Sequence, residues 1–132
     1  MLDEVKILIV ADHETTAATI NWIWYFLSKH EDLLIKVREE AVSLDGNPPS
    51  FEALENLSFT RQVIDEALRM YPPVWVLSRE VIKVVELGSY TLDAGTNIFI
   101  SPYYIHRHPE YWQHADQFDP QRFSKENAKQ IN

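Results

Sequence analysis

The 132-residue sequence contains no cysteine. That absence excludes disulfides, cysteine-ligated zinc and a nucleophilic thiol. There is no Lys/Arg-rich run either: twelve basic against twenty acidic side chains give a net charge of −8. Such a balance is the wrong footprint for nucleic acid or an anionic membrane. No apolar run reaches the roughly 20 residues a membrane span requires, because Asp12, His13 and Glu14 interrupt the apolar stretch over residues 1–30. No positively charged segment ahead of an apolar run marks a signal peptide. The compartment stays undetermined, with the cytoplasm as the default. Internal repeats and low-complexity tracts are missing as well.

What is present is a chain of ordinary single-domain size with 45% hydrophobic residues, enough to bury a core. Residues 2–29 hold neither Pro nor Gly, which predicts one helix of about 28 residues, roughly 42 Å long. Over residues 5–11 and 17–27 it is apolar on nearly every face, and such a helix calls for burial on all sides. A second helix is expected over 31–44, with Leu33, Leu34, Val37 and Ala41 on one stripe, ended by Asp45-Gly46-Asn47-Pro48-Pro49. A helical turn near 51–57 leads to a third helix over 60–70, whose stripe is Val63, Ile64, Ala67 and Leu68. Pro72 and Pro73 stop it.

Short β-rich runs follow at 74–79, 81–86, 90–92 and 97–100, predicting a small antiparallel sheet. Ser101-Pro102 and His108-Pro109 each read as a helix start with Pro in the first turn. After Phe123 the chain turns polar, with Ser124 a possible cap. The fold class is therefore mainly α with a small antiparallel β-sheet, α+β.

Four groups of residues carry chemistry. Within the first helix stands Ala11-Asp12-His13-Glu14-Thr15-Thr16, an acid and two hydroxyls in an otherwise apolar helix, where unpartnered polar groups cost a few kcal/mol if buried. A threonine there can bond back to the carbonyl four residues earlier and loosen the helix, opening a notch for water and a small ligand; the same step could instead simply face solvent. Glu66 and Arg69, at i and i+3, share a helix face, a spacing that by itself is usually a solvated surface pair. Arg79 ends a β-rich run, where its fork suits a carboxylate or plain solvent. Phe118-Asp119-Pro120-Gln121-Arg122-Phe123 closes the series, preceded by Ile105-His106-Arg107-His108-Pro109-Glu110.

In order, these resemble four elements of the cytochrome P450 haem-thiolate monooxygenases: the oxygen-activating helix motif, the Glu-x-x-Arg helix ending in Pro-Pro, a propionate-binding arginine, and the Phe-x-Pro-x-Arg-Phe element. The resemblance runs from Asp3 to Phe123 and implies a partial cytochrome P450 fold. It divides the chain into the central helix at 1–30, helices to the Pro-Pro at 31–73, sheet at 74–100, and short helices with the Arg-Phe loop at 101–132.

The resemblance also implies haem b, dioxygen and an apolar substrate to be hydroxylated, with electrons from NAD(P)H through a ferredoxin or a flavoprotein reductase. Ala11 would adjoin the cofactor, Thr15 would hydrogen-bond the oxygen, Glu14 would relay protons and Arg79 would meet a propionate. Val74 and Val76 would face the substrate. Glu66, Arg69 and Arg122 would form a buried triad that holds the fold, in which two cations on one carboxylate need further acceptors. Asp12 departs from the family's glycine. The family's cysteine loop, which supplies the axial thiolate, is not among the 132 residues, so the chain is expected to be an incomplete domain, inactive by itself.

Two other functions are weighed. A non-catalytic helical module could bind a partner protein through the surplus apolar surface of the first helix. A metal hydrolase built on His13-Glu14 fails on spacing, because a zinc-binding His-Glu-x-x-His helix needs His where Ala17 stands. No metal-ligating set is expected.

Overall fold

The computed structural model describes residues 2–130. Helix α1 covers Leu2–Lys29, with Asp3 and Glu4 in its first turn and Lys29 in its last, each charge opposing the local end of the helix dipole. His30 alone joins it to α2, Glu31–Val42. After the Asp45-Gly46 turn comes α3, Phe51–Leu54, capped by Ser50, which accepts from the Ala53 amide. Helix α4 runs Ser58–Met70.

The start of α4 is set by another helix. Residue Leu57 at its N-cap offers no side-chain oxygen, and the Glu40 carboxylate of α2 takes that place. It accepts from Phe59 N, Thr60 N and Thr60 Oγ1, all at 2.7 Å. Partial burial would raise the Glu40 pKa, but the bonds from Phe59 and Thr60 outweigh it and hold the group below its ordinary value.

The core lies where α1, α2 and α4 meet: Leu27, Leu33 and Val63 are buried, with Ile23, Leu34, Val37, Phe59 and Phe118 packed around them. Each such side chain removed from water contributes about 1.5–3 kcal/mol. Two ring stacks extend this core. Phe26 lies on Phe118 at 4.1 Å and 5°, and Trp22 lies on Tyr71 at 3.7 Å and 8°.

Four expectations change. The all-round apolar character of α1 is matched by burial only at its C-terminal end, where Phe26 and Leu27 are covered; Ile7 is 67% exposed and Leu8 63%. Ala41 of α2 and Ile64 of α4 are exposed, because the buried side of α4 is shifted to Val63, Glu66, Ala67, Arg69 and Met70. The single sheet is two separate antiparallel ladders: β1, Leu77–Glu80, pairs with β4, Asn97–Ile100, and β2, Val85–Leu87, pairs with β3, Tyr90–Leu92. The second is a tight hairpin in which Gly88 takes φ +59, as the first position of a two-residue turn favours. Finally, His108-Pro109 opens a turn rather than a helix, with Tyr111 N and Trp112 N both donating to His108 O. The Ser101-Pro102 start does lead into a helix, α5, Pro102–Ile105.

Residues 74–76 are unpaired, since Leu77 already faces Ile100 at the end of the first ladder. Ser124 accepts from Asn127 N at 3.3 Å, after a 3-10 turn at Pro120–Phe123.

Candidate functional site

One cluster forms around a carboxylate sealed from water. Glu66 is 0% and Arg69 2% exposed, so their spacing does not make the solvated pair that i,i+3 residues usually form. Arg69 donates through Nε to Glu66 Oε2 at 2.7 Å and through Nη2 to Oε1 at 2.9 Å, the bidentate geometry that best offsets desolvation. Arg122 Nε reaches Oε1 at 3.3 Å, and the Asp119 amide donates to the same oxygen at 2.9 Å. Two cations, Arg69 and Arg122, thus share one anion.

The remaining guanidinium protons find backbone acceptors. Arg69 donates to His106 O at 2.7 Å and Ala115 O at 2.8 Å; Arg122 donates to Gln113 O at 2.5 Å and His114 O at 2.8 Å. Trp112 covers the Arg69 guanidinium face at 5.0 Å. The network therefore ties α4 to residues 106–122, a span with little regular structure.

Sequence reasoning did not find these carbonyls, since a carbonyl has no residue-type signature, nor Trp112. His106, a residue type that beside Arg and Pro in a loop is more often solvated, is instead half-buried. Its Nδ1 lies 3.2 Å from Arg69 O. Desolvation lowers its pKa, the bond to Arg69 O opposes that, and the Arg69 and Arg107 charges lower it further; the net shift is downward.

A second feature is the α1 notch. Thr15 Oγ1 donates to Ala11 O at 2.7 Å and Thr19 Oγ1 to Thr15 O at 2.8 Å. Thr15, Thr16, Thr19, Ile20 and Ile23 of α1 line one side of an open groove of about 350 Å³ whose other side is Ile64, Leu68 and Pro73. Ala11, Asp12 and Glu14 stand exposed on the same helix. Val74 is exposed and Val76 half-buried on the segment after Pro73. Arg79 is exposed in β1 opposite Ile98, and its Nη1 donates to Ser78 O at 2.8 Å. Among the described residues no three His, Cys, Asp or Glu side chains gather as a metal would require.

A long helix with a hydroxyl-lined notch thus packs against a helix that buries a Glu-Arg-Arg network. The sequence model of cytochrome P450 matches residues 1–132, and the chain belongs to the cytochrome P450 family. It is 38% identical over 130 residues to pentalenene oxygenase of Streptomyces avermitilis, covering 98% of this chain and 29% of that protein. It is 39% identical over 132 residues to cyclooctat-9-en-7-ol 5-monooxygenase of Streptomyces melanosporofaciens, covering 99% and 29%. Chloroplastic carotene epsilon-monooxygenase of Arabidopsis thaliana is 37% identical over 128 residues, covering 96% and 24%. The chain thus spans less than a third of the length of these relatives.

The family's cofactor is haem. The residues present offer hydroxyls beside an apolar groove and an exposed guanidinium. They supply no thiolate ligand, as the 132 residues hold no cysteine.

Proposed function

We propose that this chain is the segment of a haem-thiolate monooxygenase that carries the oxygen-facing helix and the frame beneath the haem, in an enzyme that hydroxylates an apolar substrate. The observation that carries this reading is the family match along the entire chain, with 38–39% identity to the two Streptomyces oxygenases. Electrons would reach the complete enzyme from NAD(P)H through a ferredoxin or a flavoprotein reductase.

Haem bound through a cysteine thiolate would supply the activation of dioxygen. The chain's own residues have narrower tasks. Thr15 spends its proton on Ala11 O, which leaves its oxygen lone pairs to accept from water or an acid in the notch. Glu14, one residue before it, is the group to exchange protons with solvent there, and Ala11 is small enough for close approach. Arg79 would hold a propionate, and Val74 and Val76 would form part of the substrate wall. Glu66, Arg69 and Arg122 would take no part in proton or electron transfer; they would hold residues 106–122 in place.

A chimera tests this: residues 1–132 replace the matching segment of the Streptomyces avermitilis pentalenene oxygenase. Retention of a thiolate-type Soret band in the reduced carbonyl complex, together with product formation, is expected. A chimera that folds but binds no haem overturns the reading. The isolated chain, having no cysteine, should show no thiolate-type band under the same titration. The second reading, a helical module that binds a partner protein, has the exposed apolar residues of α1 in its favour. It would leave the chimera without haem.

A further inference from the structure

An oxidising equivalent that reaches this chain has few places to go. Cysteine is absent and Met70, the methionine among the described residues, is buried, so the sulfur groups that oxidise readily leave the task to Trp and Tyr. Five of those rings stand in contact, one after another. Tyr25 meets Trp22 edge-on at 5.6 Å, Trp22 lies on Tyr71 at 3.7 Å, Tyr71 is 6.5 Å from Tyr103, and Tyr103 is 5.7 Å from Tyr104. The series crosses from α1 over the end of α4 to α5 and reaches the surface at both ends, with Tyr25 50% and Tyr104 74% exposed. Among the described residues Trp24, Trp75, Trp112, Tyr90 and Tyr111 touch no other Trp or Tyr ring.

The central contact departs from ordinary packing. Aromatic pairs settle edge-to-face or offset with centroids about 4.5–7 Å apart, whereas Trp22 and Tyr71 overlap face to face, 8° from parallel. Such overlap works against the ring quadrupoles, and it is the geometry in which two π systems exchange an electron most readily. The later rings are held in place as well. The Arg107 guanidinium lies 5.3 Å from the Tyr71 ring and 3.8 Å from the Tyr103 ring, and is itself fastened by Tyr103 O and Asp116. Ser101, at the N-cap of α5, makes no capping bond; its Oγ donates to Trp75 O at 2.8 Å, which pins the start of α5 to the segment leaving α4.

A fixed cation beside Tyr71 and Tyr103 opposes positive charge on those rings, so an electron vacancy passes through them without resting there. Tyr104 is different, because the surrounding water can take its phenol proton. We propose that Trp22, Tyr71, Tyr103 and Tyr104 form a one-electron conduit that carries an oxidising equivalent from α1 to the surface. A one-electron oxidant takes an electron from Trp22 and is reduced; Tyr71 refills Trp22, Tyr103 refills Tyr71, and Tyr104 refills Tyr103. Tyr104 releases its phenol proton to water and remains as a neutral tyrosyl radical, which a dissolved hydrogen-atom donor such as ascorbate returns to tyrosine. In an oxygenase the conduit would drain oxidising equivalents that miss the substrate; that use rests on the function proposed above, whereas the conduit itself does not.

The test attaches a ruthenium polypyridyl photo-oxidant to Asn21→Cys, at an exposed position beside Trp22 and the sole thiol in the chain. Trp24→Phe and Tyr25→Phe remove the neighbouring exposed rings from competition. Flash oxidation with a sacrificial electron acceptor should give a tyrosyl radical by electron paramagnetic resonance, formed at the same rate on dilution, and Tyr104→Phe should remove it. Tyr71→Phe, which keeps the ring, should abolish the tyrosyl signal and leave a tryptophan radical. Tyr103→Phe should do the same and decides the matter if Tyr71→Phe fails to fold, while Tyr111→Phe should change nothing. Absence of a tyrosyl radical in the labelled chain, a signal that survives Tyr104→Phe, or an unchanged yield in Tyr71→Phe overturns the proposal. The chimera reads haem binding and this experiment reads radicals in the haem-free chain, so either reading can fail without the other.

Discussion

Glu66 accepts four hydrogen bonds with no water available to replace any of them. Removing one member of such a network leaves charge uncompensated in a low-dielectric site, which costs about 3–5 kcal/mol. Glu66→Gln should therefore lower stability by about that amount, read as a shift in the denaturant midpoint at constant slope. Arg122→Ala should cost less, about 1–3 kcal/mol, because its bond is the longer at 3.3 Å and its side chain is 14% exposed.

His106 gives the pH counterpart. Its folded-state pKa lies below the ordinary 6.5, so the folded chain binds fewer protons than the unfolded one and stability rises with pH. That contribution is fully present above about 6.5 and is lost as pH falls through the depressed folded value. His106→Gln should flatten this part of the stability-pH curve; an unchanged curve would assign the slope to other groups. Asp12, where the family has glycine, stands exposed on α1, and Asp12→Gly in the chimera should raise the yield of product per electron consumed.

At the scale of elements, the start of α4 is the instructive case. The sequence places that helix at 60–70 from its apolar period, and the helix begins two residues earlier. The reason is Glu40, twenty residues before Thr60, which satisfies amides that no local side chain could reach. Glu40→Ala should destabilise by about 1–2 kcal/mol, as loss of a helix cap does. Since its folded pKa is lowered from 4.5, its stabilisation is present above that value and fades as pH drops through the folded one. The two effects set in at different pH: His106→Gln alters the curve as pH falls below about 6.5, Glu40→Ala only as it falls below about 4.5. The β region shows the converse limit. Runs of Val, Ile and Tyr mark strands, but period-2 patterns do not say which strands pair, and two ladders form because Leu77 and Tyr90 each find partners in different segments.

For the whole molecule, the dominant feature is the apolar surface of α1 around Ile7, Leu8 and Ile9, each more than 60% exposed. Contiguous apolar surface of this kind drives association. The isolated chain should self-associate in sedimentation experiments. Replacing Ile7, Leu8 and Ile9 by Lys, Glu and Gln should restore a monomer without lowering the melting temperature, because no buried contact is lost. A monomeric parent chain would contradict this.

The sequence by itself determined the long first helix, the α+β class and the membership of the family, because periodicity and short motifs are written in residue types close together in the chain. Only the tertiary structure decided that Glu66 and Arg69 are sealed from water, that α1 keeps its apolar N-terminal half uncovered, and that Ser101 serves Trp75 instead of its own helix. Burial and the choice of hydrogen-bond partner depend on segments tens of residues apart, and backbone carbonyls, which complete the network around Glu66, look the same in every residue. The absence of cysteine was legible from composition alone; what the fold added is the buried network that fastens residues 106–122 to α4.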